Sequence, residues 1–323
     1  MQIRKTSALV EAGILAAIEV VFALVGSYVP VLSLFADFLL PLPIALCGQR
    51  NGFKWSLGSL LVAAMIIAII VNPVQALSVV AVFGLIGLTV GYCMHRRLSP
   101  VKLLLFGSLS GLVAIGFSFL IGYLVLGINM IQMMLDSMQQ GHQMVLEFYA
   151  KMGYSAEQMA AMTQELSTMT QMMVMILPAA FVIVAPLLVF LNYWAARKIL
   201  GKMGIQYPWF PPFMEWSVPR WSLLLYGAGL IMVMGFQVDQ TTIGYKIGFN
   251  LFVFSSLLLL LQGVSVLKWY VVTKNKPQWW FSVAIVIIFM SSFLSQIISL
   301  LGAYDMLFDF RKLHPGRRTL GRK

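Results

Sequence analysis

The sequence predicts an all-α protein, a polytopic transmembrane helical bundle, and three observations carry that prediction. Hydrophobic residues make up 60% of the 323-residue chain and charged residues only 10%, against roughly a quarter charged in a soluble domain. Mean hydropathy is +0.89, and the apolar residues gather into runs near the ~20 residues a helix needs to cross hydrocarbon. The formal charge of +11 collects in alternate loops, which is the signature of basic cytoplasmic loops rather than of a nucleic-acid surface.

In chain order, apolar segments are expected over 8–29, 31–48, 55–72, 75–94, 101–127, 171–195, 221–237, 247–272 and 278–301. The opening MQIRKTSALVEAGIL begins the first of them and is not a cleaved signal, because Glu11 and Glu19 interrupt its apolar core. Arg4 and Lys5, Arg50 and Lys54, Arg96, Arg97 and Lys102, then Arg197, Lys198 and Lys202, fall in loops of one side, with Lys274 and Lys276 after them. The intervening loops near 30 and 73 carry no Lys or Arg. The positive-inside rule therefore places the N-terminus in the cytoplasm, as expected of a multi-pass cell-membrane protein.

Nine full spans would leave the tail FRKLHPGRRTLGRK outside, against that rule. The last segment is expected to be re-entrant or interfacial, returning the tail to the cytoplasm. Three regions are expected: a six-span bundle over 1–200, a linker at 201–220, and membrane segments with a basic tail over 221–323. The linker's QYPWFPPFMEWSVPRW has four prolines, which forbid a continuous helix, and tryptophans suited to the headgroup layer.

An insertion at 128–170 holds Met130, Met133, Met134, Met138, Met144, Met159, Met162 and Met169. Ser155 and Gln158 form a capping-box pattern, so a helix should start there and run directly into segment six. Thioethers are soft ligands for copper(I), but no cysteine or paired histidine accompanies them. An adaptable outer contact face is the better reading. No metal site is expected. Cys47 and Cys93 have neither disulfide nor metal spacing.

No constellation for catalysis is present. The chain lacks Gly-x-x-x-x-Gly-Lys-Ser/Thr, His-Glu-x-x-His and Gly-x-Ser-x-Gly. Its three histidines, His95, His142 and His314, lie in different loops. The chain is therefore read as a non-enzyme without a cofactor.

The informative chemistry is acidic. A carboxylate at bilayer depth costs about 2.5–3.5 kcal/mol and marks a functional site by default. Glu19 lies roughly 15 Å and Asp37 roughly 10 Å from the outer ends of segments one and two. The tight connection Tyr28-Val29-Pro30 makes these segments antiparallel neighbours, so the two acids can share a depth. With Asn72, Gln75, Tyr123 and Asn129 they form the candidate pocket, set against a structural role in which each acid is simply hydrogen-bonded between helices. Pro41, Pro43 and Pro73 would free carbonyls nearby, as in the broken helices that line ligand cavities.

Ala8, Ala12 and Ala16 form a stripe of small residues at four-residue spacing, which lets another helix approach closely. Gly87 with Gly91 and Gly107 with Gly111 repeat the device, as internal packing.

The alanine stripe, the apolar-proline segment closing on Gly48-Gln49-Arg50-Asn51-Gly52, and six spans returning inward resemble the S-components of energy-coupling-factor transporters. Over its full length the chain resembles the YybS-like family of Firmicute membrane proteins. The residues that carry this are Gln262-Gly263-Val264-Ser265-Val266, Leu300-Leu301-Gly302-Ala303-Tyr304-Asp305 and Phe308-Asp309-Phe310-Arg311-Lys312. The resemblance implies a captured small molecule, and as partners a transmembrane coupling subunit with ATPases docking on Ala8, Ala12 and Ala16. The alternative is a non-transporting membrane scaffold whose Met-rich region and basic tail bind protein partners.

Overall fold

The computed structural model describes residues 2–127 and 129–313. The chain divides into two compact units, Met1–Gln171 with Phe181–Trp209, and Met172–Ala180 with Phe210–Lys323. The linker is thus shared, 206–209 going with the first unit and 210–220 with the second.

The first unit opens with α1 (Gln2–Tyr28), α2 (Pro30–Leu39), α3 (Pro41–Asn51) and α4 (Phe53–Ile70). α2 and α3 meet at Leu40, which keeps helical dihedrals, so segment two is one span. Its hydrogen-bond ladder is interrupted where Pro41 and Pro43 lack N–H groups. α5 (Pro73–Ser78) passes through a π-helical stretch, Val79–Gly84, into α6 (Leu85–His95), and α7 (Pro100–Leu126) follows. The glycine pairs of these helices are packing devices. A Cβ on Gly91 would stand 2.8 Å from the Ala45 carbonyl oxygen, and one on Gly107 2.6 Å from Val189.

The Met-rich insertion is helical. α8 (Met130–Lys151) is capped by Asn129 and has no buried residue. α9 (Ala156–Lys202) is one helix of 47 residues that starts at the Ser155–Gln158 capping box. At 1.5 Å per residue it is about 70 Å long, more than twice what a span requires. Its segment 172–180 belongs to the second unit, where Asn250 takes both polar groups of the rung beside Pro178. The Asn250 amide donates to Met175 O at 2.8 Å and accepts from Ala179 N at 2.8 Å.

The second unit also holds α10 (Trp221–Gly235), α11 (Ile243–Thr273), α12 (Gln278–Met290) and α13 (Ser292–Phe308). α10 runs antiparallel to α11: Gly229 abuts Phe252, and Gly248 abuts Met232. α13 runs parallel to α11, with Ser299 level with Ser256, Gly302 with Leu259 and Asp305 with Gln262. α12 and α13 meet at a bend of 115°. The 13 residues of α12 rise only ~20 Å, short of the ~30 Å hydrocarbon core. The chain doubles back at this bend, and the end of α13 lies level with the C-terminal half of α11.

Among the described residues, seven helices are long and apolar enough to cross a membrane. The bundle is multi-pass and all-α.

Candidate functional site

Helical periodicity puts Ala8, Ala12, Ala16, Glu19 and Ala23 on one face of α1, and that face is turned inward. Ala12 is 6% and Ala16 1% exposed, and the Ser59 hydroxyl of α4 donates to Ala12 O at 3.0 Å. The docking role expected for Ala8, Ala12 and Ala16 is therefore corrected. The small residues let the chain's own α4 approach α1, and the stripe offers no free surface to a second subunit.

Glu19 lies on this buried face with 0% exposure, and neither carboxyl oxygen has a hydrogen-bond partner among the described residues. The core about this level is apolar: Ala16, Val20, Ala23, Leu60, Ala63 and Ile67, with Val79 from the π-helical stretch. Buried polar groups are nearly always paired, so an orphan carboxyl of this kind demands an explanation.

Asp37 sits higher. Its Oδ1 lies 2.8 Å from where a Cβ on Gly26 would stand. Gly26 is seven residues beyond Glu19 on α1, about 10 Å along the axis. The two acids do not share a depth, which corrects that expectation. Asp37 is half-buried, fitted into the space left by the missing Gly26 side chain.

Two of the remaining candidates are helix caps. Asn72 caps α5 by accepting from the Gln75 backbone N–H at 2.6 Å. Asn129 likewise caps α8, accepting from Ile131 N and Gln132 N. Tyr123 is 64% exposed on α7. Side chains that satisfy helix ends are legible in sequence only as polar residues between apolar runs, which is why they resembled pocket residues.

The second unit contains a polar centre that the sequence reading did not anticipate. Arg311 and Asp305 form a buried ion pair, 2.9 Å between Nη2 and Oδ2, with side-chain exposures of 0% and 4%. Asp305 also accepts from Gln262 Nε2 at 2.7 Å. Arg311 donates to Met214 O at 2.6 Å, Ser265 Oγ at 2.7 Å and Trp216 O at 2.8 Å. Gln262 Oε1 accepts from Val218 N at 2.8 Å. Arg311 is thus not part of a solvated basic tail, and residues 314–323 of that tail lie outside the described residues. The adjoining cavity, lined by Ser217, Arg220, Gln262, Asp305 and Arg311, is about 10 Å³, room for about one water molecule. Gln262, Asp305 and Arg311 are paired with one another and with the linker backbone, which ties α11, α13 and the linker together. The sequence did hold a signal: Gln262 and Ser265 fall three apart on one helical face, with an aspartate closing an apolar helix.

With this geometry in place, comparison with known proteins is informative. The family model described as "Predicted membrane protein (DUF2232)" matches residues 17–306. The chain belongs to this family. It is also 27% identical over 308 residues to "Uncharacterized protein YybS" of Bacillus subtilis (strain 168), covering 95% of this chain and 98% of that protein. No solved structure matches. The family span takes in Glu19, Asp37, Gln262 and Asp305 and ends five residues before Arg311. These comparisons establish an integral membrane protein of this family, and the likeness to S-components rests on the short motifs alone.

Proposed function

We propose that the protein is a transport-related, small-molecule-binding membrane subunit whose binding chemistry centres on Glu19. The observation that carries this reading is the pair of Glu19 oxygens, fully buried and without partners. A bare carboxylate in hydrocarbon is costly, and a bound proton or cation removes that cost. In this reading Glu19 holds a proton while the site is empty and yields it to a cationic group of the ligand. The π-helical turn in the same core supplies an adjustable wall, as π-bulges often do at functional sites. The basic end of the first unit faces the cytoplasm. Energy, where it is needed, comes from a separate coupling subunit with ATPases, docking elsewhere than the alanine stripe.

A second reading is favoured by α8, an amphipathic helix with no buried residue. There the protein is a scaffold, and the Met-rich arm is its contact face.

Thermal unfolding of the purified protein, against a panel of monovalent and divalent cations, cationic amino acids and water-soluble vitamins, separates the two. A compound that stabilises the native protein but not Glu19→Gln supports the binding-subunit reading. A folded Glu19→Gln protein that responds to the whole panel as the native one does refutes it.

A further inference from the structure

The basic end of the first unit carries four cation–aromatic pairs. Arg96 lies over Tyr92 at 5.6 Å, Arg97 over Tyr207 at 5.6 Å, Arg197 over Trp209 at 5.1 Å and Lys198 over Trp194 at 4.3 Å. Aromatic rings of this kind sit at the headgroup layer of a bilayer, so their paired cations are held at headgroup depth. Tyr207 is the hub. Its hydroxyl accepts from Gln49 Nε2 at 2.7 Å, and its carbonyl accepts from Arg197 Nε at 3.0 Å. His95 Nδ1 in turn meets the Gln49 carbonyl at 2.8 Å. Three chain regions thereby bring Arg97 to the ring of Tyr207 and Arg197 to its backbone carbonyl.

The pairing pattern shows that this is more than a scatter of basic loops. Neither Arg97 nor Arg197 has a carboxylate partner among the described residues, whereas Arg50 beside them is paired with Glu11 at 2.6 Å. In addition, Arg97 has φ of +53° at the turn after α6. That left-handed position closes the helix and ordinarily favours glycine, so glycine can replace Arg97 there without backbone strain.

We propose that Arg97 and Arg197, gathered at Tyr207, bind the phosphodiester of an anionic phospholipid headgroup. Guanidinium groups match phosphate oxygens through paired N–H donors. Basic clusters at the ends of transmembrane helices are where such headgroups are taken up.

The test is a titration of the full-length protein in detergent with short-chain phosphatidylglycerol and, separately, short-chain phosphatidylcholine, read as the shift in unfolding temperature. Arg97→Gly suits the left-handed backbone while removing the whole side chain, guanidinium included, so the variant should still fold. The expected result is stabilisation by phosphatidylglycerol alone, with about fivefold weaker half-saturation in Arg97→Gly and in Arg197→Gln. Lys102→Gln, an equal loss of charge at the same end, should leave it unchanged. The proposal is overturned if Lys102→Gln weakens the response as much as Arg97→Gly, if phosphatidylcholine stabilises equally, or if inorganic phosphate reproduces the effect, which would assign the site to a soluble anion.

Discussion

Replacing Asp305 by asparagine removes one charge from the buried centre of the second unit while preserving its shape. Asp305 Oδ2 accepts from Arg311 Nη2 at 2.9 Å, Arg311 Nε at 3.0 Å and Gln262 Nε2 at 2.7 Å. In Asp305→Asn the guanidinium stays fully buried and keeps only neutral acceptors, Met214 O, Trp216 O and Ser265 Oγ. Breaking a buried pair from one side costs about 3–5 kcal/mol, and the three surviving acceptors place the expected loss near the lower end, ~3 kcal/mol. The measurement is equilibrium unfolding in detergent micelles followed by tryptophan fluorescence. Combining Asp305→Leu with Arg311→Met removes both charges, so the double variant should be less destabilised than the sum of its singles by about 0.5–3 kcal/mol. An Asp305→Asn protein within about 0.5 kcal/mol of native, or strictly additive singles, would refute the reasoning.

Three further outcomes are expected. Gly302→Ala should destabilise the second unit by about 1–3 kcal/mol, because its Cβ would meet Leu259 O at 2.1 Å and force α11 and α13 apart; thermal unfolding reads this, and a native-like midpoint would contradict the close crossing. Ala16→Trp should lower the folded yield in size-exclusion profiles, since the residue is 1% exposed, whereas a free docking face would accept the ring with a normal profile. Asp239 accepts from Thr241 N at 2.9 Å and Thr241 Oγ1 at 2.6 Å, which holds its carboxyl below the usual range. The order it gives the 236–242 loop is present above the ordinary carboxylate range and lost as pH falls through the lowered value. Hydrogen-exchange protection, corrected for intrinsic rates, should show that step in the native protein and not in Asp239→Asn.

Much of the architecture was legible because hydrophobic runs, prolines and caps act locally. The interrupted ladder at Pro41, the capping box at Ser155 and the long helix that follows it could all be read from a few adjacent residues. The direction in which a face points could not. Ala8, Ala12 and Ala16 have the same spacing whether they receive a foreign helix or the chain's own α4, and only the fold decides. Asn72 and Asn129 cap helices, and a polar side chain at a helix start does that as readily as it lines a cavity. The Arg311 centre joins residues up to 97 positions apart, beyond any local signal, and its arginine looked like the first residue of a basic tail. Glu19 was identified because a carboxylate in an apolar run is costly in any fold.

The claim that matters most is that Glu19 is a ligand-responsive carboxyl and not a structural acid. Infrared difference spectra of the native and Glu19→Gln proteins in lipid test it directly, through the carbonyl stretch of a protonated carboxyl. The account predicts such a band in the empty native protein, absent from Glu19→Gln, and bleached by the stabilising compound found in the thermal panel. A native spectrum without that band, or a band that no compound in the panel alters, would contradict it.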